Sequence, residues 1–188
     1  WESQERLEQA QNMDAEEMSA KVARVVPFVE DRRNCLLFEP RPVRDKAFMA
    51  TLQAALKNAI QVCFQLEESE LACEALPSSE ARNQVLIYES AEGGAGVLRR
   101  LVEDGTSALV DVARVALELL HFDPVSGEDL SASGGSSEPC VAACYDCLMS
   151  YGNQRDHEDL NRHLVRDFLL AMTRGTLKVS SGATSRED

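Results

Sequence analysis

Three of the six cysteines fall within eight residues, spaced Cys140-x3-Cys144-x2-Cys147. Few sequence features restrict a chain as tightly. Thiolates are soft ligands and zinc takes four donors in a tetrahedron, so a Cys-x2-Cys pair at a turn leading into a helix can place two sulfurs on one metal. Cys140 would supply a third. The competing account is three buried or redox-active thiols. Cys35, Cys63 and Cys73 stand singly in apolar surroundings, where core burial is expected. Six cysteines in 188 residues is not the density of a disulfide scaffold.

The surrounding pattern predicts a helix-rich α+β domain. Apolar residues make up 44% of the chain, enough for a core. Asn34 to Phe38 is a short apolar run closed by Pro40 and Pro42, expected as a buried strand. Over residues 44–66, Phe48, Met49, Leu52, Leu56, Ile60, Cys63 and Phe64 recur at helical steps, with Gln53, Lys57 and Gln61 on the other face. Strands are expected over 71–76 and 84–89 and helices over 94–104, 107–120 and 157–173. Thr106 or Ser107 would cap the helix that follows it, and Asp156 the last one. The helix over 107–120 is apolar almost all round and should lie centrally. The result is a small three-stranded sheet covered by helices, with a cysteine knuckle before the last helix. Residues 1–30 read as an N-terminal helical segment linking to an upstream region, 31–175 as the zinc-binding domain, and 176–188 as a disordered tail. A start at Trp1 suggests a piece of a longer polypeptide.

Charge and motifs narrow the function. A net charge of −13 is unfavourable for a free-standing duplex-DNA binder, which gains most of its affinity by neutralising phosphates. Any contact with DNA would have to come from clustered arginines: Arg99, Arg100, Arg155, Arg162 and Arg166 are the candidates, with ordinary helix-surface charge as the alternative. The turn Gly93-Gly94-Ala95-Gly96, between a strand and a helix, invites a phosphate-binding interpretation. It lacks the Gly-Lys-Ser/Thr ending of a P-loop, Arg99 stands where a dinucleotide fingerprint has its third glycine, and Glu89 and Glu92 would repel a phosphate. A sharp turn with close helix packing is the better expectation. Glu89, Glu92, Asp156, His157 and Glu158 are acid/base candidates only in isolation, since no nucleophile stands with a base. No signal peptide or spanning apolar run is visible, and a cytoplasmic protein without membrane contact is expected.

Taken together, Tyr88-Glu89 with Gly93-Gly94-Ala95-Gly96, Cys144-Tyr145-x-Cys147-Leu148-x-Ser150-Tyr151, and Asn153-Gln154-x-x-His157-x-x-Leu160-x-Arg162 resemble the MrfA-type zinc-binding (MZB) domain. That family sits at the C-terminus of DEAD/DEAH-type superfamily-two helicases and in DISARM-type phage-defence proteins. The resemblance runs from about Asn34 to Met172. It implies zinc as cofactor, an ATPase motor elsewhere in the parent chain and a role in DNA repair or defence; the lack of a complete P-loop and of an acidic metal cluster argues against catalysis by this part. The partners implied are the helicase core, with single-stranded DNA or another protein as further options. The family's metal site is typically four cysteines, and Cys140, Cys144 and Cys147 match three. For the fourth ligand His121 is the first candidate: it ends a buried helix just before a loop that could return Cys140 to it. His157 is the second, although a bracing hydrogen bond would suit it equally. A vacant or non-zinc site is the remaining alternative. Two other functions are weighed against the helicase-associated module. A metal-dependent hydrolase or nuclease would want carboxylates and open coordination positions, which thiolates disfavour. An acidic protein-docking module would suit the charge.

Overall fold

The computed structural model describes residues 27–91, 93–103, 105, 107–132 and 139–178. The N-terminal segment expected to be helical, the Thr106 cap, Glu92 and the tail from 179 lie outside them. The chain divides into two compact units, Trp1–Asp31 and Arg32–Asp188. In the first, residues 27–31 are described and form no helix or strand.

The second unit is α+β. Three strands, β1 (Cys35–Phe38), β2 (Leu71–Leu76) and β3 (Gln84–Glu89), form an antiparallel sheet in the order β1-β3-β2. The helices are α1 (Lys46–Phe64), α2 (Val97–Leu101), α3 (Ala108–Leu119) and α4 (Arg162–Thr173), with a 3-10 helix over Tyr151–Asp156 before the last. Cross-strand register places Leu36, Ile87 and Cys73 on one face with Phe38, Val85 and Ala75. Side chains alternate across a strand, so these residues point to the helices while Leu37, Leu86 and Glu74 point away. β1 is therefore not the buried strand that its composition suggests: Cys35 and Leu37 are exposed because the described helices cover only the other face.

α1 is the central element. The Asp45 carboxylate caps it by accepting from the Phe48 amide at 2.8 Å. Its apolar stripe packs against β2, β3, α3 and α4. α3 lies against α1 and α4, with Val112, Ala113, Ala116 and Leu117 buried. Ser107 occupies the N-cap position, but its hydroxyl goes to Asp111 instead of the helix amides. α4 begins five residues later than the sequence suggests. Asn161, not Asp156, is its N-cap, accepting from the His163 amide. Asp156 is instead held by the Arg82 guanidinium through two hydrogen bonds of 2.8 and 3.2 Å. A distant, buried cation outcompetes the local capping role.

The expected helix over 94–104 is reduced to the single turn α2. Gly94 and Gly96 take positive φ of 45° and 70°, which keeps the chain out of the helix until Val97. The reason is Glu89, 3% exposed at the end of β3. Its carboxylate accepts from the Gly96 and Leu98 amides at 2.9 and 3.0 Å and from the Asn34 amide group at 3.2 Å. Burial pushes this carboxyl up, but the amides of Leu98, Gly96 and Val97 and the Asn34 side chain together hold it below its ordinary value. The glycine turn does cradle an anion at a helix start, and that anion is the protein's own glutamate. A Cβ at Gly94 would stand 1.7 Å from the Glu89 carboxylate, whereas one at Gly93 meets nothing within 4 Å. Gly94→Ala should therefore cost about 2–3 kcal/mol and Gly93→Ala, penalised by its backbone alone, about 1 kcal/mol. Urea midpoints of the two variants measure this, and equal losses would disprove the cradle.

Candidate metal centre

The knuckle is built from local hydrogen bonds. Residues 144–149 fold so that the Leu148 and Met149 amides both donate to the Cys144 carbonyl, at 3.1 and 3.0 Å. The Cys144 amide donates to Cys147 Sγ at 3.1 Å. This brings the two sulfurs within 3.4 Å of each other, and Cys140 Sγ lies 3.8 Å from Cys147 Sγ. Asn58 of α1 donates to the Cys147 carbonyl at 2.9 Å and pins the knuckle to the central helix.

His121 reaches the same point from α3. The helix ends in a Schellman motif: the His121 amide bonds to Glu118 O and the Phe122 amide to Leu117 O. The residue at the turn must be left-handed, and His121 adopts φ 61° there. Glycine is the usual occupant, and a histidine in this conformation costs about 1–2 kcal/mol. The turn carries the ring to the sulfurs, with Nε2 3.3 Å from Cys144 Sγ.

The ligand atoms of His121, Cys140, Cys144 and Cys147 all lie within 4.8 Å of one another. Tetrahedral zinc at ordinary bond lengths would require about 3.8 Å between sulfurs and about 3.6 Å from sulfur to nitrogen. The measured separations of 3.8, 3.4 and 3.3 Å surround a volume of that size. The chemistry fits as well. Burial above all, with a contribution from the Cys144 sulfur, pushes the Cys140 and Cys147 thiols up. A dication at the centre would reverse this by taking the charge of the thiolates.

Three thiolates and a neutral imidazole around Zn²⁺ would leave one negative charge, and the fold places a buried cation beside it. Arg162, 1% exposed at the start of α4, donates through Nε to the Cys140 carbonyl at 3.0 Å and through Nη1 to the Leu120 carbonyl at 3.1 Å. Its Nη2 bonds to Asp129 and Ser131, and its Cζ lies over the Phe122 ring, 4.7 Å from the ring centre. The pairing with Arg162 holds the Asp129 carboxyl well below the usual range. The expectation that Arg162 faces nucleic acid is corrected here: every arm of the guanidinium is turned inward. The first part of the loop after His121, residues 122–132, featureless in sequence, is held by the same contacts and by a bridge between Phe122 and Asp129.

The other predicted residues do not converge. His157 Nε2 contacts the Ser150 carbonyl at 3.1 Å and Asn153 Oδ1 at 3.0 Å. It braces the 3-10 helix, whose start is a reciprocal box between Ser150 and Asn153. Arg99 and Arg100 are exposed on α2, Arg155 is exposed on the 3-10 helix, and Arg166 on α4 pairs with Asp167. Glu158 is exposed. Asn58, Asp129 and Ser131 support the centre and were not singled out from sequence, because no local pattern marks them.

A model of the MrfA Zn-binding domain family matches residues 52–148, slightly more than half of the chain, and this span contains all four converging residues. No curated protein and no solved structure matches the chain.

The strained turn separates ligand from scaffold. His121→Gly should raise stability by about 1 kcal/mol in chelator, where only the backbone matters, and lower it in saturating zinc, where a ligand is lost. Paired denaturation curves with and without zinc read both signs; a loss under both conditions would mean that the imidazole serves packing alone.

Proposed function

Because the chain belongs to the MrfA Zn-binding domain family, we propose that it is a zinc-stapled accessory domain of a DNA helicase, in which Cys140, Cys144, Cys147 and His121 hold one structural zinc. The observation that carries this is the convergence of three soft thiol donors and one imidazole from two segments of the chain. Four protein ligands close a tetrahedron and leave no position for a substrate or an activated water, which is the pattern of structural rather than catalytic zinc. A hydrolase or nuclease is disfavoured on the same ground. The helicase association, in repair or phage defence, rests on the family resemblance in the stretches Tyr88–Gly96, Cys144–Tyr151 and Asn153–Arg162. The motor would lie elsewhere in the parent chain, and the domain would serve it as a rigid attachment. No described helix is long and apolar enough to cross a membrane. A part in work on DNA would place the domain in the cytoplasm.

Zinc would act through cross-linking. It would tie the end of α3 to the knuckle ahead of α4, closing a loop of chain that contains no other regular element among the described residues. Metal analysis should find one zinc per chain, and none in the Cys144→Ser, Cys147→Ser double variant. On chelation, hydrogen exchange should accelerate first across residues 120–160, while β2, β3 and α1 keep their protection. Equal zinc in wild type and double variant would eliminate the site. ATP turnover by the purified chain, abolished at Gly94 or Gly96, would refute the accessory role.

A further inference from the structure

β2 lies at one edge of the sheet, and its outer side is open. The Ser90 amide bonds to the Glu70 carbonyl, which sets the phase of the ladder. Ala72, Glu74 and Leu76 exchange hydrogen bonds with β3, so the amides and carbonyls of Cys73 and Ala75 point outward in the plane of the sheet. Among the described residues nothing bonds to them. A cavity of about 570 Å³ adjoins Cys73, Glu74 and Ala75 and has the 3-10 helix on its other side. Consecutive side chains point to opposite faces, so three in a row line one cavity only where it follows the edge of the strand. The room beside β2 thus lies where its unpaired backbone groups point. β1, the other edge strand, has only four residues and runs into Pro40 and Pro42, which guard an edge against pairing.

The unmatched charge here is mainly negative. Glu67, Glu68 and Glu70 lead into β2, and Glu74 stands on the face turned from the helices; all four are exposed. No described cation lies within ion-pair distance of any of them. The cations beside the cavity are engaged except for Arg155: Lys46 pairs with Glu80 and Asp159, and Arg82 with Asp156. Across the cavity Tyr151 is 88% exposed, and its ring can take a cation on its face.

We propose that the open edge of β2 takes up an extended, lysine- or arginine-bearing segment of a partner protein as a fourth strand. The inference stands apart from the helicase association. Cys73 and Ala75 each offer an amide and a carbonyl; in strand addition such main-chain bonds supply affinity, and side chains select the partner. The residue directly opposite Glu74 shares its face, where an opposite charge stabilises the pair and a like charge opposes it. A second copy would bring the same net charge of −13 to the contact, and the segments of this chain outside the described residues carry more carboxylates than cations. A basic segment of a different chain is drawn in by that field.

The test is fluorescence anisotropy of a labelled ten-residue peptide of alternating Thr and Lys with the full zinc-loaded chain. In antiparallel addition, the geometry of the rest of the sheet, Lys stands opposite Glu74, and the Thr amides meet Cys73 and Ala75. N-methylating the Thr amides should therefore cost about tenfold or more in affinity, while N-methylating the Lys amides, which face away, should leave it within about twofold. Replacing every Lys by Glu should abolish binding, and Glu74→Lys in the protein should weaken it about fivefold. Ala75→Pro removes one outward donor at an edge position that tolerates proline and should weaken binding about tenfold. Should that variant not fold, the methylated peptides probe the same bonds on the unaltered chain. Amide exchange at Cys73 and Ala75 should slow when the peptide is added. The proposal is overturned if the Thr-methylated peptide binds like its parent, if the Glu peptide binds as well as the Lys peptide, or if no binding occurs at about 1 mM peptide. It is overturned equally if the chain alone self-associates in sedimentation and Ala75→Pro abolishes this, which would give the edge to a second copy.

Discussion

The Arg162 guanidinium is the contact on which the metal centre depends. One buried cation bonds to the carbonyl that ends α3, the carbonyl of Cys140, and the side chains of Asp129 and Ser131, while stacking on Phe122. These groups come from three separate stretches of chain, and Arg162 bonds to all three at once, adding to the Phe122–Asp129 bridge and the Leu130 amide on the His121 carbonyl. A buried arginine is costly unless its nitrogens find partners, and here each of the three donates at least one hydrogen bond. The planar fork makes this feasible, because its five N–H groups diverge in fixed directions; lysine could not satisfy the same set. The Arg162 amide also bonds to the Ala142 carbonyl at 2.8 Å, so the backbone of α4 and its side chain grip the same cysteine segment.

The glycine turn follows the same logic with the opposite charge. A helix start exposes amides that attract an anion, and a strand-to-helix turn rich in glycine leaves room for one. In many proteins a ligand phosphate fills such a place. Here Glu89 fills it from the preceding strand, locking β3 to α2 and tying in Asn34 ahead of β1. The site that resembles a nucleotide cradle is thus a joint of the scaffold.

Polar side chains in the last third of the chain act as braces rather than as chemical groups. Asn153, His157 and Ser150 close the 3-10 helix, and Thr51 of α1 accepts from the Asn161 amide at 3.0 Å. Arg82 reaches from the β2–β3 connection to Asp156. Between Asn153 and Arg162, the side chains of Asn153, Asp156, His157, Asn161 and Arg162 are thus taken up in hydrogen bonds that fix the local backbone or join it to the rest of the fold.

What the sequence determined by itself was local. The three strands and the long helix were legible because their periodicity is a property of neighbouring residues, and the Cys-x2-Cys knuckle because its sulfurs are brought together by one turn. His121 could be named because it ends a periodic stretch. The tertiary structure decided everything that depends on residues far apart. It placed Arg162 inside, where sequence shows only one more arginine on an amphipathic helix. It gave Asp156 to Arg82, which moved the start of α4 to Asn161. It assigned Glu89 to the glycine turn, which cut α2 to a single turn. It exposed Cys35 and Leu37, because the described helices cover one face of the sheet. For Arg162 and Asp156 a charged group took a partner across the fold over one nearby, and burial makes that choice: away from water a satisfied charge pair outweighs a local cap, and no spacing rule records which distant group will be there.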